Sequence, residues 1–324
     1  MSQIPIHFVI SAPRSGSTWL TRALNGHPEV FATEHRLFGN FAEIWRNNDG
    51  STAPRITLDS YARAFAMHYF YEPLGMNHGQ FVDVFQKAFV NFIVNFARRK
   101  SGANIVLDKI TPYPGTAALV CEQIRKFFPD SSVIHLARDG RDVLTSGTFD
   151  WLLKDAQGTD RFRYFVDREQ GFQLTRFFDD EVIRKWAENW RETIDVHSTA
   201  SENSVFVSYE AMQTDQPSEL QKIFAAVGVE SSADIATACA DAVTFEKTTG
   251  RASGSSDKPT DKARKGIVGD WKNYFTRRDG ELFVEVAGDA LLLAGYEKDH
   301  TWLGSLPESL ELPDDHNQSL RNHS

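Results

Sequence analysis

Four short apolar runs, Ile6 to Ile10, Asn104 to Leu107, Ser132 to Leu136 and Ser204 to Val207, constrain the fold of this chain more than any other feature. Each is brief, nearly continuous in its apolar character and rich in β-branched or aromatic residues. That pattern suits strands covered on both faces, the habit of parallel sheets. The stretches between them read as helices. Thr18 to Leu24 follows a Ser/Thr cap, and Phe81 to Arg99 carries aromatic and aliphatic residues at helical spacing. Thr116 to Phe128 ends at Pro129, and Glu181 to His197 is long and amphipathic. Strand and helix in alternation imply right-handed crossovers with helices on both faces of one sheet. The expectation is an α/β, three-layer sandwich around a central, mostly parallel sheet.

A chain of 324 residues with 41% hydrophobic content can bury a sizeable core. Its net charge of −9 argues against a nucleic-acid partner, which would ask for a basic surface. The two cysteines, Cys121 and Cys239, lie in apolar, helical contexts that suit inert buried thiols, and the ten histidines are scattered without zinc-site spacing, so no metal is expected. The N-terminus lacks a basic segment followed by an apolar core, and no apolar run approaches the roughly 20 residues of a membrane span, so a cytoplasmic location is expected. Residues 1–304 read as a single domain. Within it, 37–79, rich in aromatics with weak periodicity, reads as an insertion on the substrate side, and 250–262, "GRASGSSDKPTDK", as a mobile loop. Residues 305–324 read as a polar C-terminal tail.

The first strand runs directly into "APRSGST" and then into a helix. Here a Gly allows close backbone approach, two hydroxyls and several N–H groups meet a helix N-terminus, and Arg14 adds a guanidinium. That is the chemistry of a phosphate or sulfate cradle. An ordinary strand-to-helix connection is the plainer reading, because Ser and Thr cap any helix. A nucleoside-triphosphatase P-loop would need G-x-x-x-x-G-K-[ST]; this loop lacks the first Gly, and Ser17 stands in the Lys position. The loop is therefore P-loop-like in place rather than in motif.

Two further basic clusters occur in this acidic chain. In "HLARDGRDVLTS" a strand delivers Arg138 to the edge where open α/β sheets bind ligands, and Ser146 lies eight positions on, about two helical turns. Arg138 can alternatively pair with Asp139 or Asp142 at the surface. In "DKARKGIVGDWKNYFT" Lys262, Arg264 and Lys265 adjoin two glycines, a pattern that suits capture of a second phosphate or, more plainly, a solvated face.

Together "APRSGSTWL", "HLARDGRDVLTS", "VSYEAM" and "RKGIVGDWKNYFT" resemble, in order, the sulfotransferases that use 3′-phosphoadenosine 5′-phosphosulfate (PAPS). The resemblance runs from about Phe8 to Tyr274. It implies that Arg14, Ser15, Gly16, Ser17, Thr18 and Trp19 hold the 5′-phosphosulfate, with Arg14 standing where the family has Lys. It implies that Arg138, Ser146, Arg264, Lys265 and Gly266 contact the 3′-phosphate, that Tyr209 lies near the adenine, and that Phe245 in "VTFEKT" stacks on it. A donor with anionic groups at two ends of one ribose matches a chain that offers several separate anion sites. The chemistry asks for fixed cations and N–H donors around the leaving phosphate oxygen.

The base for the acceptor hydroxyl is less direct. In the cytosolic branch of the family a His follows a Lys by two positions, whereas "LDKITPY" has Thr111 there. The heparan sulfate branch is similar at another place, where a Glu follows an "HP-[DE]-V" stretch; "HPEVFATEHRLF" puts Glu34 in that position. Glu34, a carboxylate that ionises below neutrality, is the first candidate for base, His35 the second, and Lys109 the charge stabiliser beside the sulfuryl group. A salt bridge from Glu34 to Arg36 is the plain alternative. The expected function is sulfuryl transfer to a hydroxyl of a small molecule or carbohydrate. The alternative is a catalytically silent nucleotide-binding protein on the same fold.

Overall fold

The computed structural model describes residues 6–33, 77–167, 174–198, 203–244 and 266–310, with a few single positions between them. These fall into two compact units, Met1–Arg138 with Asn189–Ala252, and Asp139–Glu188 with Ser253–Ser324.

The first unit is built on five strands: β1 (Ile6–Ser11), β2 (Val30–Thr33), β3 (Ile105–Ile110), β4 (Val133–Ala137) and β5 (Ser204–Ser208). All neighbours pair in parallel, in the order β2-β3-β1-β4-β5. Helices α1 (Ser17–Leu24), α2 (His78–Ser101) and α3 (Ala117–Phe127) follow β1, β2 and β3 in the chain. The expected α/β layering is what the packing shows. Side chains of β1 alternate: Val9 faces a cluster with Leu107, Ile134, Leu136 and Val207 that is covered by Leu20, Ala23 and Leu24 of α1. Ile6, Phe8 and Ile10 face the opposite cluster with Val106, Ile110 and Val133, covered by Val90 of α2 and Val120 and Ile124 of α3. Burying both faces is why these strands read as unbroken apolar runs.

Four strands sit where the apolar runs lie. The fifth, β2, was not expected: "VFAT" is only four residues long, inside a stretch with no period of its own. It is held from both sides, by parallel register with β3 (Val30↔Ile105 to Thr33↔Asp108) and by the Asn25 side chain. That amide donates to the Ala32 carbonyl at 2.7 Å and accepts from the Ala32 N–H at 2.9 Å, replacing a neighbouring strand.

The second unit contains α4 (Gly140–Asp155) and a helix from Arg277 to Leu293. The first starts at Asp139, whose carboxylate accepts the Arg141 N–H, and the second at a reciprocal cap between Thr276 and Asp279. The helix Asp180–Ser198 contributes to both units. Among the described residues no helix is long and apolar enough to cross a membrane. Most of 37–79, all of 251–265 and the tail from 311 lie outside the described residues, so the insertion and the loop expected there are not described.

Candidate functional site

In the sheet order, chain connections leave β1 toward β2 and β3 on one side and return to β4 on the other, so the C-terminal ends of β1 and β4 flank a topological switch point. Open α/β sheets bind ligands there. Two of the sequence-derived elements emerge at that edge: the loop from Ala12 to Gly16 after β1, and Arg138 after β4.

The loop is tightly shaped. Arg14 has φ 68°, alone among the described non-glycine residues in the left-handed region, and Gly16 has φ 87°. Gly16 is the N-cap of α1 and has no side chain with which to cap it, so the cap itself offers the first-turn N–H groups of Ser17, Thr18 and Trp19 no acceptor. No acidic residue stands in the first turn. The Ser15 hydroxyl is buried, at 0% exposure, and has no hydrogen-bond partner among the described residues. A buried hydroxyl without a partner is costly unless something completes it. Converging N–H groups, a buried hydroxyl and a guanidinium form a donor set, and this fits a phosphate or sulfate.

Arg138 is held against this loop. Its Nη1 donates to the Arg14 carbonyl at 3.1 Å, and its guanidinium lies 4.4 Å from the centroid of the Tyr209 ring. Its own carbonyl accepts the Trp190 Nε1–H at 2.8 Å. Tyr209 begins a short helix, Tyr209–Thr214, capped by the Ser208 hydroxyl, and its own hydroxyl accepts from Gln213 at 3.0 Å. The same ring presses on the loop: a Cβ on Gly16 would lie 2.6 Å from Tyr209 Cδ2. Trp19 meets Tyr209 edge-on at 5.8 Å, and its Nε1–H donates to the Val243 carbonyl at 2.9 Å. Arg14, Gly16, Trp19, Arg138 and Tyr209 thus form one contact set. The role of Tyr209 in pinning Arg138 was not legible in the sequence, because the two are 71 positions apart.

Strand alternation sorts two neighbours on β3. Lys109 registers with Val9 and falls on the face of Ile105 and Leu107, the α1 side. Asp108 falls on the opposite face, fully buried, where one oxygen accepts the Thr33 hydroxyl at 3.1 Å and the other the Phe38 N–H at 2.8 Å. Sequence reading passed over Asp108. The available signal was a carboxylate inside an apolar strand, which has to find donors.

Of the remaining sequence-derived residues, Ser146 and Gly266 belong to the second unit. Ser146 is buried in α4, and Gly266 takes φ 64°. Asp142, also buried, accepts the N–H groups of Gly269 and Trp271 at 2.8 and 2.9 Å, so it fastens the turn that follows Gly266. Arg141 is buried between the Trp271 and Trp302 rings, 3.9 and 4.5 Å from their centroids, and paired with Asp139 and Glu297 at 2.7 and 2.6 Å. Asp139 and Asp142, the carboxylates that adjoin Arg138 in sequence, thus hold Arg141 and the turn after Gly266. Glu34, His35, Phe245, Arg264 and Lys265 lie outside the described residues.

A family model described as "Sulfotransferase family" matches residues 5–233, well over half of the chain. Sulfotransferase 2B1 of Mus musculus is 29% identical over 197 residues, covering 56% of this chain and 54% of that protein. Sulfotransferase 2A1 of Homo sapiens is 29% identical over 170 residues, covering 48% and 55%. The aligned chain thus spans about half the length of these two relatives. Among solved structures, mouse sulfotransferase SULT7A1 complexed with PAP overlaps 92% of this chain and 90% of its own at TM-score 0.49 and 17% identity.

Proposed function

The chain belongs to the sulfotransferase family, and on that premise we propose that it is a PAPS-dependent sulfotransferase acting on a hydroxyl of a small molecule or sugar. The observation that carries this reading is the contact set of Arg14, Gly16, Trp19, Arg138 and Tyr209 at the C-terminal ends of β1 and β4. In this reading the donor supplies a terminal SO3 group on a phosphate that leaves as an anion. The N–H groups of residues 16–19, the Ser15 hydroxyl and the Arg14 guanidinium hold the 5′ end. Arg138, Ser146, Arg264, Lys265 and Gly266 hold the 3′-phosphate, and Tyr209 and Phe245 flank the adenine.

The residues around the reacting oxygen then have separate tasks. Lys109 stabilises negative charge beside the sulfuryl group, on the α1 side of β3. Glu34, as a carboxylate, accepts the proton of the acceptor hydroxyl as that oxygen attacks in line with the leaving oxygen. His35 is the second choice for this proton.

The test has two arms. Adenosine 3′,5′-bisphosphate should raise the melting temperature, and a panel of phenols, aliphatic alcohols and sugars should include an acceptor that takes labelled sulfate from PAPS. Glu34→Gln should leave nucleotide affinity within about twofold and lower turnover on the order of a hundredfold. Stabilisation by the nucleotide with no transfer to any acceptor would favour a silent nucleotide-binding protein. Undiminished turnover in Glu34→Gln would remove Glu34 from the mechanism.

A further inference from the structure

We propose that Asp108 is a positioning residue for the acceptor step: it fastens both ends of the stretch that carries Glu34. This rests on the reading of Glu34 as the base. The carboxylate of Asp108 is fully buried, and its two oxygens accept from two different places in the chain, the Thr33 hydroxyl and the Phe38 N–H. Thr33 and Phe38 bracket the four residues 34–37.

Each end is independently fixed. Thr33 closes β2 and stands opposite Asp108 in the parallel register with β3. Phe38 is fully buried, with its ring meeting Phe8 at 5.9 Å and Phe128 at 4.8 Å, both edge-on. The carboxylate joins these two anchors to β3.

Packing alone does not ask for this residue. A carboxylate removed from water on an apolar face is costly, and an aliphatic side chain would fill the strand position without that cost. What the carboxylate adds is two charge-assisted acceptors, one for a backbone N–H that leaves the sheet and one for a hydroxyl that ends it. Asp108 does not act on the donor directly: alternation along β3 turns it to the face opposite Lys109 and the α1 side. Its effect is therefore exerted through Thr33 and Phe38, the two residues it holds. Misplacement of a reacting group by about 1 Å is enough to cost on the order of a hundredfold in rate.

The experiment uses the full chain, PAPS and the acceptor with the highest turnover in the panel above. Asp108→Ala should lower kcat at least about tenfold while the affinity for adenosine 3′,5′-bisphosphate stays within about twofold. Hydrogen exchange at the Phe38 amide should accelerate. Asp108→Asn should retain most of the turnover, because its amide oxygen still accepts from Phe38 and the Thr33 hydroxyl can turn to accept from its NH2. In a Glu34→Gln background, Asp108→Ala should add no further loss.

Wild-type kcat in a folded Asp108→Ala overturns the proposal. So does an equal fold-loss in the Glu34→Gln background, or a fall in nucleotide affinity that matches the fall in kcat. If Asp108→Ala does not fold, Thr33→Val removes the Thr33 bond at nearly constant volume and should lower kcat about threefold; unchanged kcat there overturns the proposal. A silent Glu34→Gln overturns the base assignment, whereas an impaired Glu34→Gln beside a silent Asp108→Ala overturns the positioning role alone.

Discussion

Replacing Gly16 by Ala is the sharpest probe of the anion loop, because two separate costs can be worked out from its surroundings. The first is conformational. Gly16 takes φ 87°, and an L-residue held in that region costs about 1–2 kcal/mol. The second is steric. The new methyl would lie 2.6 Å from Cδ2 and 2.9 Å from Cε2 of Tyr209, about 1 Å inside ordinary carbon contact. The loop or the ring has to move, and overpacking of this kind costs about 1–3 kcal/mol. The sum is a loss of about 2–5 kcal/mol, read as a shift in the urea midpoint at unchanged slope.

The ring that has to move is the one on which Arg138 rests, 4.4 Å from its centroid. Affinity for adenosine 3′,5′-bisphosphate, measured by calorimetry, should therefore fall at least about tenfold. A double-mutant cycle separates the two costs: with Tyr209→Ala in place the steric part disappears, so Gly16→Ala should then cost only about 1–2 kcal/mol. If Gly16→Ala costs the same with and without the Tyr209 ring, or binds nucleotide as well as the wild type, the packing of Tyr209 against the loop is not what shapes this site.

Arg138→Ala should weaken adenosine 3′,5′-bisphosphate binding by about 10- to 100-fold in the same calorimetric assay, the worth of charge-assisted hydrogen bonds lost from a half-buried guanidinium; unchanged affinity would contradict its role. Asp142→Ala should leave the buried N–H groups of Gly269 and Trp271 without their acceptor and cost about 2–4 kcal/mol, seen as a melting temperature lower by several degrees. Stability should also fall in mild acid. Burial holds His7 and His135 down at about 4, and burial together with the neighbouring His135 holds His197 down at about 2, so in the folded state these rings are neutral where unfolded ones are charged. The unfolded chain then binds more protons below about pH 6.5, and stability present above that value should be lost as pH drops from 6.5 toward 4. Each ring contributes up to about 1.4 kcal/mol per pH unit across the window. Urea midpoints at pH 7.5 and 5 measure this, and His135→Gln should flatten the slope.

The anion loop was legible because its signal is local: strand, turn residues and helix cap follow one another within Phe8 to Leu24, and α1 begins at Ser17, one residue from the expected start. Arg138 was legible for the same reason, as the residue delivered by an apolar strand. What holds Arg138 was not. Sequence proximity suggested Asp139 and Asp142, which serve Arg141 and two backbone N–H groups of a distant turn, whereas the Arg14 carbonyl and the Tyr209 ring that Arg138 meets lie far from it in the chain. The contact to Tyr209 follows from the pairing of β4 with β5, which no spacing reveals. β2 escaped because four residues carry too little period to stand out, and Asp108 escaped because its meaning depends on β2 being there. Glu34 and His35 were chosen by resemblance, and they lie outside the described residues.

The most direct measurement is a crystal structure with adenosine 3′,5′-bisphosphate bound. The 5′-phosphate should sit within hydrogen-bond distance of the N–H groups of residues 16–19, and the 3′-phosphate should contact the Arg138 guanidinium. A nucleotide bound elsewhere, with the loop after β1 free of phosphate, would contradict the account at its root.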